Sequence, residues 1–176
     1  MESTTVLDMP KIALYTLSAE EYTKRLVSIL KRAGKGKKVI YLTTTKPYSQ
    51  ISGMLHEAGI KDKDIFFIDC VSRSLGEKTL NAQNCVFLEN PRNLTAISIA
   101  INESVKKLPG KKLLVMDSLS TLMLYNDHVT MGRFSNFVIN RMRSLDVETV
   151  LSAFEADAKS ETLRQIAGFV DEVRKK

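Results

Sequence analysis

Short, near-continuous apolar runs alternate with longer stretches in which apolar residues recur every three or four positions. Ile12–Thr16, Val39–Thr43, Ile65–Ile68, Cys85–Leu88, Leu113–Met116 and Val147–Phe154 read as strands. Between the first two, Ala19–Ala33 carries Tyr22, Leu26, Ile29 and Leu30 at helical spacing and stops at Gly34. Pro47 opens a helix that carries Ile51, Met54 and Leu55 and stops at Gly59. Asn93 is placed to cap a helix over Leu94–Leu108, which Pro109-Gly110 ends. One or two helices fill Leu119–Leu145, Ser160 starts a last helix, and Phe169–Val173 is expected as a final short strand. The polar stretch Val71–Asn84 is long for a loop in a compact domain, which marks it as mobile or functional.

Strands alternating with helices imply an α/β fold, with a doubly wound, mostly parallel sheet between two helical layers. The strands lack polar alternation, as burial on both faces requires. With no repeat and no linker composition, residues 1–176 read as a single domain, 1–10 forming an N-terminal extension. Ligands of such sheets bind beyond the carboxyl ends of the strands. The positions to watch are therefore Thr16, Thr44, Thr45, Asp69, Cys70, Asn90, Asp117 and Glu155.

Composition narrows the classes. The 176 residues are 44% apolar and 26% charged, enough for one core. No run approaches the ~20 apolar residues of a membrane span, and Met1–Thr5 shows no basic leader. Two cysteines, Cys70 and Cys85, read as reduced thiols, so the cytoplasm is the expected compartment. Asp69 beside Cys70 would raise that thiol's pKa, which argues for packing over reactivity. The net charge of +6 invites a nucleic-acid reading. Its cations, however, cluster at Lys31-Arg32, Lys35–Lys38, Lys111-Lys112 and Arg174–Lys176, which suits helix C-termini and turns. No aromatic residue interleaves with them to stack bases, so nucleic acid is only weakly supported. His56 and His128 lack a second ligand at metal spacing, so no metal is expected. Ser118 lacks the Gly-x-Ser-x-Gly surroundings of a hydrolase nucleophile. Phe134, Phe137, Val138 and Met142 form one apolar face, for the core or, if exposed, for a partner.

Four apolar residues ending in Asp-Ser, Leu113–Ser118, resemble the Walker B strand of the RecA/KaiC-like ATPase superfamily. Val39–Thr44, Phe67–Ser72 and Asn93–Thr95 look like segments of archaeal KaiC-like proteins, in the same order. The resemblance runs from about Lys11 to the end. It implies a RecA-like core, association side by side, and a Gly-rich loop ending in Gly-Lys-Ser/Thr after the first strand. Here that place reads Thr16-Leu17-Ser18-Ala19-Glu20-Glu21-Tyr22, with no glycine before Gly34. The loop's glycines, lysine and hydroxyl, which wrap phosphates and hold Mg²⁺, are missing.

Ser18 and Glu21 have capping-box spacing, which would close the helix N-terminus to an anion. Glu20 and Glu21 would add negative charge; one like-charge contact at ~4 Å costs about 4 kcal/mol at an effective dielectric near 20. Where the superfamily carries an acidic pair, Thr44-Thr45-Lys46 offers no base. Gly34-Lys35-Gly36-Lys37-Lys38 follows a helix and precedes a strand, the reverse of a phosphate loop, and reads as a C-cap and turn. The expectation is a RecA-like domain without catalytic residues, ATP or Mg²⁺, working through contacts with a relative or another copy. A small-molecule site in the crevice, with or without enzymatic chemistry, and a weak nucleic-acid binder stay as alternatives.

Overall fold

Residues 12–77 and 80–175 are described by the computed structural model; the expected extension at 1–10 lies outside them. The apolar runs form strands β1 (Ile12–Leu17), β2 (Lys38–Thr43), β3 (Ile65–Asp69), β4 (Cys85–Phe87), β5 (Lys112–Asp117), β6 (Glu148–Phe154) and β7 (Glu172–Lys175). The helices are α1 (Tyr22–Ala33), α2 (Tyr48–Glu57), α3 (Leu94–Lys107), α4 (Leu119–Tyr125), α5 (His128–Ser144) and α6 (Glu161–Ala167). All strand pairs are parallel, in the order β4-β3-β2-β5-β6-β1-β7. The α/β, doubly wound sheet expected from the alternation is the fold.

Strand parity divides the core. Ile12, Leu14, Ile40, Leu42, Leu114 and Met116 pack under α3–α6. Tyr15, Leu17, Val39, Tyr41, Leu113 and Val115 pack under α1 and α2. Asp117 shares the parity of Leu113 and Val115, so it faces α1 and α2. From β2 the chain winds toward β4, and from β5 toward β6, so the order reverses between β2 and β5. Asp117 and Thr44 lie at that reversal.

Local signals hold at several ends. Asn93 caps α3 by accepting from the Ala96 N–H (2.9 Å), and Ser160 caps α6 through the Leu163 N–H (3.2 Å). Gly59 follows α2 with a φ of 76°. Three expectations need correction. The first helix begins at Tyr22, and its N-cap Glu21 makes no side-chain cap, so the Ser18–Glu21 capping box does not form. The last strand begins at Glu172; Phe169 and Val170 instead pack against the core. Phe137 is 53% exposed, so it leaves the face that Phe134, Val138 and Met142 bury. Apart from these corrections, the polar stretch after β3 includes a 3-10 turn at Arg73–Leu75.

Candidate functional site

Asp117 ends β5 with its side chain 2% exposed. Tyr22, at the first turn of α1, donates its hydroxyl to Oδ1 (2.7 Å), and Tyr41, from β2, donates to Oδ2 (2.6 Å). Thr45 adds a longer bond to Oδ2 (3.2 Å). The Tyr22 hydroxyl also meets Ser152 Oγ of β6 (2.6 Å), and Ser152 donates to the Met116 carbonyl (2.9 Å). The Tyr22 ring packs on Phe154 at 4.6 Å between centroids. Three strands and a helix thus converge on one carboxyl group.

Burial pushes the Asp117 carboxyl above its ordinary value of 3.8, against the bonds from Tyr41, Tyr22 and Thr45 and the charge of Lys46. Burial, then the Asp117 charge, holds both tyrosines well above 10, so they remain donors. Lys46 reaches α1, donating to Thr23 Oγ1 (3.1 Å). The space left beside Tyr22, Tyr41, Lys46 and Asp117 is about 20 Å³. That is room for about one water, whereas ligand pockets run to about 300–1,000 Å³.

Thr44, Ser118 and Asp69 are tied into the fold, whereas the buried Thr16 hydroxyl has no hydrogen-bond partner among the described residues. Thr44 Oγ1 donates to the Asp117 carbonyl (3.0 Å) and accepts from the Ser118 N–H (2.9 Å), fastening the end of β2 to β5. Ser118 Oγ caps α4 through the Thr121 N–H (3.2 Å). Asp69 is fully buried and accepts from the backbone N–H groups of Tyr48 (2.7 Å), Val71 (2.6 Å) and Ser72 (2.9 Å) and from the Ser72 hydroxyl (2.5 Å). Burial, with the Asp69 charge second, pushes the Cys70 thiol up to about 12. Glu155 is exposed, and Asn90 accepts from the Arg92 N–H (2.9 Å).

At the turn between β1 and α1, Ser18 is half-buried and Ala19 and Glu20 are exposed. Glu21 pairs along the helix with Arg25 (2.9 Å). Of the residues at this turn, Tyr22 is the one that bonds the Asp117 carboxyl. Sequence reasoning placed Tyr22 in the degenerate loop but missed Tyr41 and Ser152. The available signal was tyrosine, in place of phenylalanine, at two core positions, since a buried phenol needs a partner. His128 meets Thr162 Oγ1 (3.1 Å), and among the described residues no group of three metal-binding side chains converges. Nor is any described helix long and apolar enough to cross a membrane.

The sequence model of a family of unknown function, DUF7504, matches residues 6–173. No curated protein matches the chain by sequence. Among solved structures, the fold is similar to the KaiC-like protein PH0186 from the hyperthermophilic archaeon Pyrococcus horikoshii OT3. The TM-score is 0.62 and the identity 13%, over 93% of this chain and 70% of that one. With the parallel sheet, this likeness makes the fold RecA/KaiC-like.

Proposed function

The chain belongs to the DUF7504 family, and from that premise we propose that it is a non-catalytic RecA/KaiC-like module that acts through macromolecular contacts. One observation carries the reading: the Asp117 carboxyl is filled by Tyr22, Tyr41 and Thr45. In a nucleotide-splitting relative, the equivalent acidic strand end would face Mg²⁺ and water. Here two phenols stand in that space, and about 20 Å³ is left. A magnesium triphosphate does not fit these residues. The loop before α1 has no glycine or lysine to hold phosphates. The first turn of α1 has an acidic N-cap, Glu21, turned toward Arg25.

The same volume argues against another small molecule at this place. Exposed apolar side chains supply the positive half of the proposal. Leu124 (80%) and Val129 (55%) flank the α4–α5 connection, and Phe137 (53%) lies further along α5. Exposed apolar surface of this kind marks contact sites. A partner could be a second copy or a RecA/KaiC-like relative. A thermal-shift screen over nucleotides, divalent cations and metabolites separates the readings. Saturating ligand at 100 times its Kd stabilises by about 2.7 kcal/mol. The proposal expects no shift from any of them; a dose-dependent shift with a nucleotide or metabolite would replace it with a ligand-binding function.

A further inference from the structure

The amino edge of the sheet, one strand length from Asp117, carries a different chemistry. The turns after α1, after α2 and before β5 enclose an open cavity of about 480 Å³. Lys31, Lys35, Lys37, Lys38, Lys61 and Lys111 line it, against one acid, Asp64. Lys37 is held by Glu148 (2.7 Å) and Lys38 by Asp64 (2.7 Å). Among the described residues, the remaining four lysines make no ion pair. The sequence scatters these cations over 80 positions; parallel pairing of β3, β2 and β5 gathers them.

Helix dipoles explain part of this. α1, α2 and α3 end at this edge, and their carbonyl ends attract cations, which accounts for Lys31 in the last turn of α1. Lys61 and Lys111 lie beyond helix ends, where the dipole gives no such reason. The dipoles also repel anions, so only the lysine charges can hold one.

We infer that this cavity binds the phosphate backbone of a nucleic-acid duplex, independently of sequence. Three of the turn amides are spent within the protein: Lys37 N–H on the Gly34 carbonyl (3.0 Å), Gly59 N–H on His56 (2.9 Å) and Ile60 N–H on Leu55 (2.9 Å). Lysine ammonium groups are point charges that suit a repeating anion. The lining has no aromatic side chain to stack an unpaired base. It offers no aromatic anchor for a protein partner either. A duplex, whose bases stay stacked and whose phosphates face outward, needs neither.

The test is fluorescence anisotropy of the full chain with a short duplex of random sequence, titrated with salt. Four phosphate contacts predict a slope of log K against log salt of about −3 to −4. The variant Lys35→Gln/Lys61→Gln/Lys111→Gln should lose about tenfold or more in affinity near 50 mM salt and flatten the slope to about −1. Lys24→Gln/Lys159→Gln/Arg164→Gln removes the same net charge elsewhere and should bind as the wild type does. Both variants should keep the wild-type melting temperature: the three cavity lysines make no ion pair among the described residues, and the control gives up only the exposed Lys24–Glu21 contact at 4.0 Å. Equal loss in both variants would overturn the proposal, as would no binding at low salt. Displacement of the duplex by poly-glutamate at equal charge concentration would assign the cavity to acidic proteins and overturn it as well. None of these results bears on the tyrosine-filled Asp117 site, which has its own test.

Discussion

Asp117 accepts two phenol hydroxyls, Tyr22 on Oδ1 and Tyr41 on Oδ2, and the Tyr22 hydroxyl also meets Ser152, which donates to the Met116 carbonyl. Burial raises the pKa of the Asp117 carboxyl against these bonds. The sign for stability follows. The folded state binds a proton at the Asp117 carboxyl more tightly than the unfolded chain does, so the group's contribution is full below the ordinary value of 3.8 and is lost as pH rises through the raised one. Asp117→Asn places an amide donor toward Tyr22 and a carbonyl toward Tyr41. Thermal denaturation across pH should find it at least as stable as the wild type at neutral pH, with the acid-side rise in stability gone. Tyr22→Phe removes the bond to Oδ1 and leaves Asp117 short of a donor. Urea denaturation should show a loss of about 1–3 kcal/mol.

The elements differ in how far the sequence announces them. Caps at Asn93 and Ser160 use groups three residues apart, so spacing alone locates α3 and α6. β7 is an edge strand with the residues Glu172-Val173-Arg174-Lys175, and its polar character hides it from a search for apolar runs. Its start is set by Asp171, whose N–H bonds the Ile12 carbonyl (2.9 Å) while its side chain accepts from the Ile12 N–H (2.9 Å), 159 residues away. The Ser18–Glu21 spacing promised a cap that tertiary contacts override: Tyr22 is drawn to Asp117 and Phe154, and helix geometry begins with it. Asp69 shows the same dependence on distant partners. Read as a crevice residue, it binds the first turn of α2 and the turn after β3 together. Asp69→Ala strands four donors and should lower stability by at least about 3 kcal/mol, against about 1 kcal/mol for the local cap Asn93→Ala, both measured by urea midpoint.

Over the whole molecule, the parallel sheet gives two unlike edges. Order and alternation of apolar runs were enough to foresee that sheet and the place of Asp117 at a strand end. The Asp117 cluster was illegible because its hydrogen bonds join residues 36 to 130 positions apart. At the carboxyl edge two phenols fill the space around Asp117; the amino edge is open and basic. The central claim is the closure, and calorimetric titration of Mg·ATP into the purified chain tests it most directly. The account predicts no saturable heat for the wild type up to millimolar ligand, or for Tyr22→Phe, which keeps the ring. Micromolar, saturable binding by the wild type, weakened by Asp117→Asn, would contradict it.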